Sequence, residues 1–304
     1  MLVPPRGAVS VIASLFICIG GGEAIAQNPP LRLVTDVIHT TPSAEIGGDN
    51  VEPAVPGQWP ATLFPRFDAE KCTITLVGPM VALTAAHCTQ NEGVHPLDID
   101  GAGARSMTCH WDLQSKFRPA PKYPPPDWPA EQRAAASFDY ALCKIDREIT
   151  GIVFERIAKP SEVQLRLSDV VTILGFGCTD LETMRGYGTL RLARSRIKRL
   201  PGANGDNYFE IADYSTSGSY YCNGDSGGAV YWLTGPGTTQ RAIVGVNSAV
   251  VVTAIGGVKQ IAGPSYSASL LSPTAKKFIE SWEARGADHH ICGYSSKHPA
   301  CRKS

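Results

Sequence analysis

The sequence LTAAHC, at residues 83–88, places a histidine directly before a cysteine at the end of an apolar run. A histidine here carries out chemistry only if the chain also supplies a nucleophile and a carboxylate that orients the imidazole ring. Without such partners, His87 is an ordinary residue at the end of a strand. The rest of the chain would have to supply both partners.

Two further segments carry the residue types that His87 requires. In CNGDSGG, at residues 222–228, glycines on both sides of Ser226 permit a tight turn that projects the serine hydroxyl. The backbone N–H groups of Gly224 and Ser226 can then face one small space and stabilise an oxyanion. In FDYALCKID, Asp139 stands just before an apolar strand, where its carboxylate would be partly buried and able to accept a hydrogen bond from an imidazole.

These motifs resemble those of the trypsin/chymotrypsin family of serine endopeptidases: AAHC around His87, DYAL around Asp139 and GDSGG around Ser226, in that chain order. The two other common serine hydrolase orders, with the aspartate or the serine first, do not fit. GQWPATL resembles the first core strand of the family, GFG resembles a strand-turn of its second barrel, and FIESW resembles its terminal helix. The resemblance extends over residues 46–282.

The resemblance implies an all-β fold of two six-stranded antiparallel Greek-key barrels with a C-terminal helix. The first barrel would extend to about residue 156, and the second would begin after about residue 165. In this family, Ser226 would attack the scissile carbonyl, His87 would act as general base, and Asp139 would hold the useful His87 tautomer. Gly224 and Ser226 would form the oxyanion hole, and Ser248 would support Asp139.

The pattern of the chain agrees with an all-β fold. From Trp59 onward, short runs of strand-forming residues are separated at short intervals by Gly, Pro, Asn and Asp. The clearest predicted strands lie at 73–77, 140–145, 170–174 and 243–246. The proline-rich segment 119–129 cannot form a central strand, because proline lacks a donor N–H. It is predicted to be a surface loop that either borders the substrate cleft or is only solvated.

One amphipathic helix is predicted near the C-terminus. Ser272 provides an N-cap and Pro273 a first-turn proline, and a later glycine marks the end of the helix. Phe278, Ile279 and Trp282 fall on one face of this helix. The pattern indicates that this face packs against the rest of the protein.

The N-terminal residues 1–26 are predicted to be an export signal, with Arg6 in a short n-region, an apolar stretch and the small-residue cleavage site AIA. A membrane anchor is the alternative, but the apolar stretch is short and is followed by glycine-rich and polar residues. We then expect a pro-segment at 27–45, a peptidase domain at 46–282 and a tail at 283–304. The export signal predicts a secreted or periplasmic protein.

Nine cysteines occur in the chain, and removal of Cys18 with the signal leaves eight for an oxidising compartment. Disulfides are favoured over zinc ligation, because no close Cys-x-x-Cys pair is present and the histidines are scattered. The family resemblance implies a bridge between Cys72 and Cys88. Cys178 is expected to pair with Cys222, because the usual downstream partner of Cys222 in the family is missing. The other expected bridges are Cys109–Cys143 and Cys292–Cys301.

The resemblance also implies activation by cleavage. In this family the carboxylate beside the nucleophile, here Asp225, forms a buried ion pair with a newly freed N-terminal ammonium, so the chain would be made as a zymogen. The matching N-terminus is Ile46 in EIGGDN, which lacks the usual valine. Because Glu45 precedes it, either a protease of other than trypsin-like preference cuts there or the N-terminus lies elsewhere.

The resemblance also implies the place of the specificity pocket: in this family, the residue six positions before the nucleophile lies at the floor of the pocket. That residue is Tyr220, and Tyr221 follows it. The absence of an aspartate argues against a preference for arginine or lysine, and two large rings would shorten the pocket. Ala249 and Val250 stand where relatives often carry Trp-Gly, directly after Ser248, and Val250 would narrow the entrance. We expect a preference for small or medium uncharged side chains.

The sequence thus predicts a secreted serine endopeptidase that acts on protein or peptide substrates through an acyl-enzyme. Two alternatives remain open: a binding protein in which Tyr220 and Tyr221 occlude the pocket, and an esterase that uses the same triad. With 28 acidic and 28 basic residues, the chain has no charge bias toward nucleic acid or a membrane surface. The chemistry requires no cofactor and no metal, and we expect a monomer.

Overall fold

The computed structural model describes residues 32–34, 52–54, 57–65, 72–89, 93–99, 103–112, 136–179, 183–202, 206–211, 219–233, 240–255 and 258–303. The chain is folded mainly into antiparallel strands, as its short β-rich runs predict. Two short strands, β1 (Arg32–Val34) and β2 (Glu52–Pro53), precede the two main sheets. Ile46 and the proline-rich segment 119–129 lie outside the described residues.

The first sheet contains six antiparallel strands. They are β3 (Thr62–Leu63), β4 (Ile74–Gly78), β5 (Val81–Thr84), β6 (Gly93–Ile99), β7 (Gly103–Trp111) and β8 (Ala141–Ile145). Their order is β3-β4-β5-β8-β7-β6, which forms a half-barrel in the described residues. All residues of β4 and β5 are buried, in agreement with their nearly continuous apolar sequence.

The second sheet closes into a barrel. Its six strands are β9 (Val170–Gly175), β10 (Arg191–Arg199), β11 (Tyr208–Ile211), β12 (Ala229–Leu233), β13 (Arg241–Ile255) and β14 (Val258–Ser269). Strand β13 pairs with both β12 and β14, which completes the circuit through β9, β10 and β11, while β1 and β2 pair with β13 and β10. The predicted all-β fold with two six-stranded antiparallel units and a C-terminal helix is confirmed; the second unit is a closed barrel, and the first is a half-barrel in the described residues.

The two sheets share an apolar core. Leu83 and Leu142 from the first sheet pack in one cluster with Leu174, Tyr231 and Ile243 from the second. All five are at most 1% exposed. Because this shared core fixes one sheet against the other, residues at their facing edges can hold a constant geometry.

The predicted C-terminal helix, α1 (Pro273–Glu283), begins at Ser272, whose side chain accepts a hydrogen bond from the Ala275 N–H at 3.0 Å. Ala275, Ile279 and Trp282 are buried, and the spacing of four and three residues places them on one face. The Phe278 ring is partly buried and lies 5.4 Å from the Tyr140 ring, centroid to centroid. Among the helices of the described ranges, none has the length and apolarity needed to cross a membrane.

The C-terminal tail packs against the segment that connects the two sheets. The Ile157 N–H donates to the Cys292 carbonyl at 2.9 Å, and the Phe154 N–H donates to the Ala300 carbonyl at 2.9 Å. Arg302 places its Nε 2.9 Å from Glu155 Oε2. The tail therefore contributes to the interior around residues 154–157, an arrangement that the sequence did not predict.

Candidate active site

His87 lies in a short 3-10 helix, Ala86–Thr89, close behind β5. The Cys72–Cys88 bridge joins this helix to the start of the preceding hairpin. The His87 N–H also donates a hydrogen bond to Asp139 Oδ1 at 3.0 Å. Because His87 is 5% exposed and its backbone is held in this way, the imidazole has a fixed direction.

The His87 ring connects Asp139 with Ser226. Its Nδ1 lies 2.7 Å from Asp139 Oδ2, and its Nε2 lies 2.7 Å from Ser226 Oγ. Because a carboxylate oxygen can only accept, Nδ1 carries the ring proton and Nε2 is left to accept from the serine hydroxyl. The structure therefore brings together the three residues that the sequence singled out, in an arrangement suited to nucleophilic attack by Ser226.

Asp139 is completely buried, but each of its carboxylate oxygens accepts hydrogen bonds. Oδ1 accepts from the His87 backbone, and Oδ2 accepts from the His87 ring and, at 2.5 Å, from Ser248 Oγ. A buried carboxylate is tolerated only when hydrogen bonds replace its hydration. Ser248 thus lies where the sequence placed it, in contact with the aspartate.

Two backbone hydrogen bonds fix the turn that precedes Ser226. The Asn223 carbonyl accepts from the Cys178 N–H at 3.0 Å, and the Asp225 carbonyl accepts from the Gly228 N–H at 3.0 Å. In a trans peptide the C=O and the following N–H point in opposite directions. The N–H groups of Gly224 and Ser226 therefore point away from these contacts, which is compatible with a shared oxyanion site.

Glycine is required at position 224, where φ is +105°. A Cβ atom there would also lie 2.5 Å from Cε2 of Tyr187. The neighbouring carbonyls contact the first sheet, since the Gly224 carbonyl accepts from Thr73 Oγ1 at 2.7 Å and the Ser226 carbonyl accepts from the Thr73 N–H at 2.7 Å. Thr73 therefore links the two sheets at the nucleophile, although no sequence motif marked it.

Comparison with known protein families agrees with this geometry. The family model described as Trypsin matches residues 48–269, well over half of the chain. The chain belongs to the trypsin family. A search of curated proteins found no match. Membership of this family supports a serine protease acting on peptide or protein substrates, and it confirms the family resemblance seen in the sequence.

In this trypsin-family chain, the carboxylate of Asp225, the residue before the nucleophile, is buried and bound by backbone N–H groups. The residue is 1% exposed, and its Oδ1 and Oδ2 accept from the N–H groups of Gly177 at 2.8 Å and Cys222 at 2.7 Å. The predicted partner Ile46 lies outside the described residues. The Ile46–Asp225 ion pair therefore stays a prediction.

The residues expected around the specificity pocket are all buried. Tyr220 is 5% exposed, and Tyr221, Ala249 and Val250 are at most 1% exposed. Tyr220, Tyr221 and Val250 pack in the core cluster of the second barrel. Both tyrosines therefore belong to the core of the second barrel, and their place at the base of a specificity pocket stays a prediction.

Two serines on β14 contact Tyr221 and were missed in the sequence. The hydroxyl groups of Tyr221 and Ser267 lie 2.5 Å apart, and the Tyr221 N–H donates to Ser265 Oγ at 3.3 Å. Burial raises the pKa of Tyr221 well above its usual value; the charge of Asp225 also raises it, while the bond to Ser267 acts in the opposite direction. The alternation in SYSAS could have indicated that these serines share one face of a strand.

The structure pairs the cysteines as expected from the sequence. Within the described ranges, the four bridges are Cys72–Cys88, Cys109–Cys143, Cys178–Cys222 and Cys292–Cys301. The sulfurs of Cys72 and Cys88 and a ring nitrogen of His87 lie within 4.8 Å of one another, which resembles a metal-ligand cluster. Because the two sulfurs are bonded to each other, they are not available as thiolate ligands.

Proposed function

We propose that this trypsin-family chain is a secreted serine endopeptidase that cleaves peptide bonds through an acyl-enzyme on Ser226. The observation that carries the proposal is the continuous hydrogen-bonded series from Ser226 Oγ through His87 to Asp139, with both ring contacts at 2.7 Å. The series connects a hydroxyl, a base and a buried carboxylate in the order needed to activate a nucleophile.

In the proposed reaction, Ser226 Oγ forms a bond to the scissile carbonyl carbon while its proton passes to His87 Nε2. The negative charge on the carbonyl oxygen is stabilised by the N–H groups of Gly224 and Ser226. Collapse of this intermediate breaks the C–N bond, and His87 donates its proton to the leaving amine. A water molecule then attacks the ester carbonyl while His87 takes its proton, and the ester bond breaks to release the acid product and restore Ser226. Asp139 keeps His87 in the required tautomer throughout.

The proposed enzyme works outside the cytoplasm. Four disulfides indicate an oxidising environment, in agreement with the predicted export signal at 1–26. A pro-segment at 27–45, a peptidase domain at 46–282, the zymogen state and the monomer stay predictions. The intact mass of the exported chain would show where the mature chain begins, and its molar mass in solution would show whether it is a monomer.

The proposed substrates carry a small or medium uncharged side chain before the cut bond. This preference assumes that Tyr220 and Tyr221 form the base of the pocket; both are buried, and Tyr221 is held by contacts with Ser265 and Ser267. A rigid ring in this position shortens the space open to a substrate side chain. Strong cleavage after arginine or lysine in a peptide library would contradict this part of the proposal.

Labelling with a fluorophosphonate probe, followed by intact-mass measurement, tests the proposal. We expect a single adduct on the wild type and on Ser195→Ala, which alters a buried serine of β10, and no adduct on Ser226→Ala. A folded wild type that begins near Ile46 and forms no adduct would favour the occluded binding protein, whereas a lack of adduct on a chain that begins near Gln27 would indicate the zymogen. An enzyme that forms the adduct and hydrolyses simple esters, but no peptides, would be the esterase.

A further inference from the structure

One edge of β13 changes its partner at Asn247. Strand β12 and the two glycines before it cover this edge up to that residue: the Gly227 N–H donates to the Asn247 carbonyl at 2.9 Å, and the Asn247 N–H donates to the Gly228 carbonyl at 2.8 Å. The opposite edge pairs with β14 over residues 245–255. Beyond Asn247, β1 is the one strand on the first edge within the described ranges.

The pairing of β1 shows which edge it uses. It pairs antiparallel with residues 250–252, so that Arg32 lies opposite Val252 and Val34 lies opposite Val250. Val250 and Val252 also pair with β14. Because a strand has two edges and β14 takes one of them, β1 lies on the edge that β12 and the two glycines begin to cover.

The nucleophile lies at the same edge. Ser226 directly precedes the glycine that contacts Asn247, and its Oγ lies 3.4 Å from the Ser248 carbonyl oxygen. Val250, the partner of Val34, is two residues further along β13, a rise of about 7 Å in an antiparallel strand. Strand β1 therefore ends close to the nucleophile.

The direction of β1 is that of a substrate segment before the cut bond. From Ser248 to Val252, β13 runs away from Ser226, so the antiparallel β1 runs toward it. The part of a substrate that precedes the cut bond must also run toward Ser226, because its last carbonyl is the one attacked. An extended peptide gains main-chain hydrogen bonds when it adds to an open strand edge. A substrate that used this edge would need the place of β1.

We propose that β1 occupies the peptide-binding edge of β13 and inhibits the chain until the predicted pro-segment 27–45 is removed. The inference rests on the proposed peptidase function. It gives the pro-segment a second role besides freeing Ile46, because its strand competes with the substrate for residues 250–252. Three residue pairs bind weakly, so the strand keeps its place while it is tethered and leaves once the chain is cut.

Hydrogen exchange of the uncut exported chain, verified by intact mass, tests the pairing. Leu33→Pro combined with Val34→Pro removes the donor that faces β13, because successive residues face opposite edges. Thr40→Pro combined with Thr41→Pro is the matched control, since it adds the same two prolines after β1. At residues 250–252, we expect the amides that face β1 to exchange about tenfold faster or more in the first variant and at the wild-type rate in the control.

Inhibition is tested on the form that reacts with a fluorophosphonate, whose first residue is established by intact mass. A synthetic peptide of residues 27–45 is added during hydrolysis of a peptide substrate. At about 1 mM we expect this peptide to raise KM about threefold or more and to leave kcat unchanged, because it competes for the same edge. The peptide with prolines at positions 33 and 34 should have no effect, whereas the peptide with prolines at 40 and 41 should inhibit like the natural one.

Four results would overturn the inference: equal exchange at residues 250–252 in the β1 variant and its control, no inhibition by the natural peptide, equal inhibition by the peptide with prolines in β1, or a reactive form that still carries residues 32–34. A chain that reacts with the probe neither cut nor uncut would instead remove the proposed function, and the inhibition with it. The exchange rates would then still show whether β1 pairs with β13.

Discussion

Ser248 Oγ donates a 2.5 Å hydrogen bond to Asp139 Oδ2, the oxygen that also faces the His87 ring. The two residues are 109 positions apart, and they lie on different sheets, Ser248 in β13 and Asp139 just before β8. The orientation of the carboxylate in the first sheet therefore depends on a hydroxyl from the second. Correct docking of the two sheets is a condition for a working triad.

Substitution of Ser248 by alanine tests this dependence. Ser248→Ala removes a hydrogen bond to a charged group, which is worth about 1.5–3 kcal/mol, and leaves Asp139 free to rotate. We expect kcat for peptide hydrolysis to fall about tenfold with a small change in KM. Ser195→Ala, a buried serine away from the triad, is the matched control. Unchanged kcat in Ser248→Ala would show that Asp139 is held by its other contacts alone.

Thr73 is expected to support the oxyanion site. Its hydroxyl donates to the Gly224 carbonyl and accepts from the Phe176 N–H at 3.2 Å, so Thr73→Val leaves both backbone groups without this partner. We predict a loss of about tenfold or more in kcat. In the described residues, the buried Thr172 hydroxyl has no hydrogen bond, so Thr172→Val should retain activity. A similar kcat for both variants would exclude a special role for Thr73.

Tyr221 is expected to set the size of the substrate side chain. Tyr221→Ala removes a ring that we expect at the base of the pocket and should increase kcat/KM for peptides with leucine or phenylalanine before the cut bond, relative to alanine. Tyr221→Phe keeps the ring and should keep the wild-type preference. A peptide library measures both. If Tyr221→Ala shows the wild-type profile, the ring lies outside the substrate pocket.

Glu155 is expected to control stability. The residue is fully buried and binds Arg241 through Nε at 3.0 Å and Arg302 through Nε at 2.9 Å. Glu155→Gln leaves a buried guanidinium without its counter-charge, which costs about 3–5 kcal/mol. Urea unfolding should show this loss. The control Glu148→Gln alters a half-exposed carboxylate and should shift the unfolding free energy by less than about 1 kcal/mol. Equal losses of unfolding free energy in the two variants would contradict the stabilising role of Glu155.

The strand patterns indicated an all-β chain and the family resemblance implied its two sheets, so the fold could be predicted; the three residues of the candidate triad also lie together in the structure. The strands at 73–77, 140–145 and 170–174 have apolar patterns that are visible in short windows. His87, Asp139 and Ser226 stand in short motifs whose order is specific. Such features do not require knowledge of distant contacts.

Contacts between distant segments could not be predicted in this way. Thr73 has no distinctive neighbours in the sequence, and its importance arises from its contact with Gly224 on another segment. The same holds for Arg302, whose partner Glu155 is 147 residues away. These contacts depend on how the sheets and the tail pack together, and short sequence patterns do not predict that packing.

The most direct test of the account is hydrolysis of an internally quenched peptide by the purified wild type and by Ser226→Ala, in the presence and absence of hydroxylamine. An acyl-enzyme on Ser226 predicts cleavage by the wild type and capture of part of the N-terminal fragment as a hydroxamate. It also predicts a loss of cleavage by at least three orders of magnitude in Ser226→Ala. Cleavage that persists in Ser226→Ala would contradict the account.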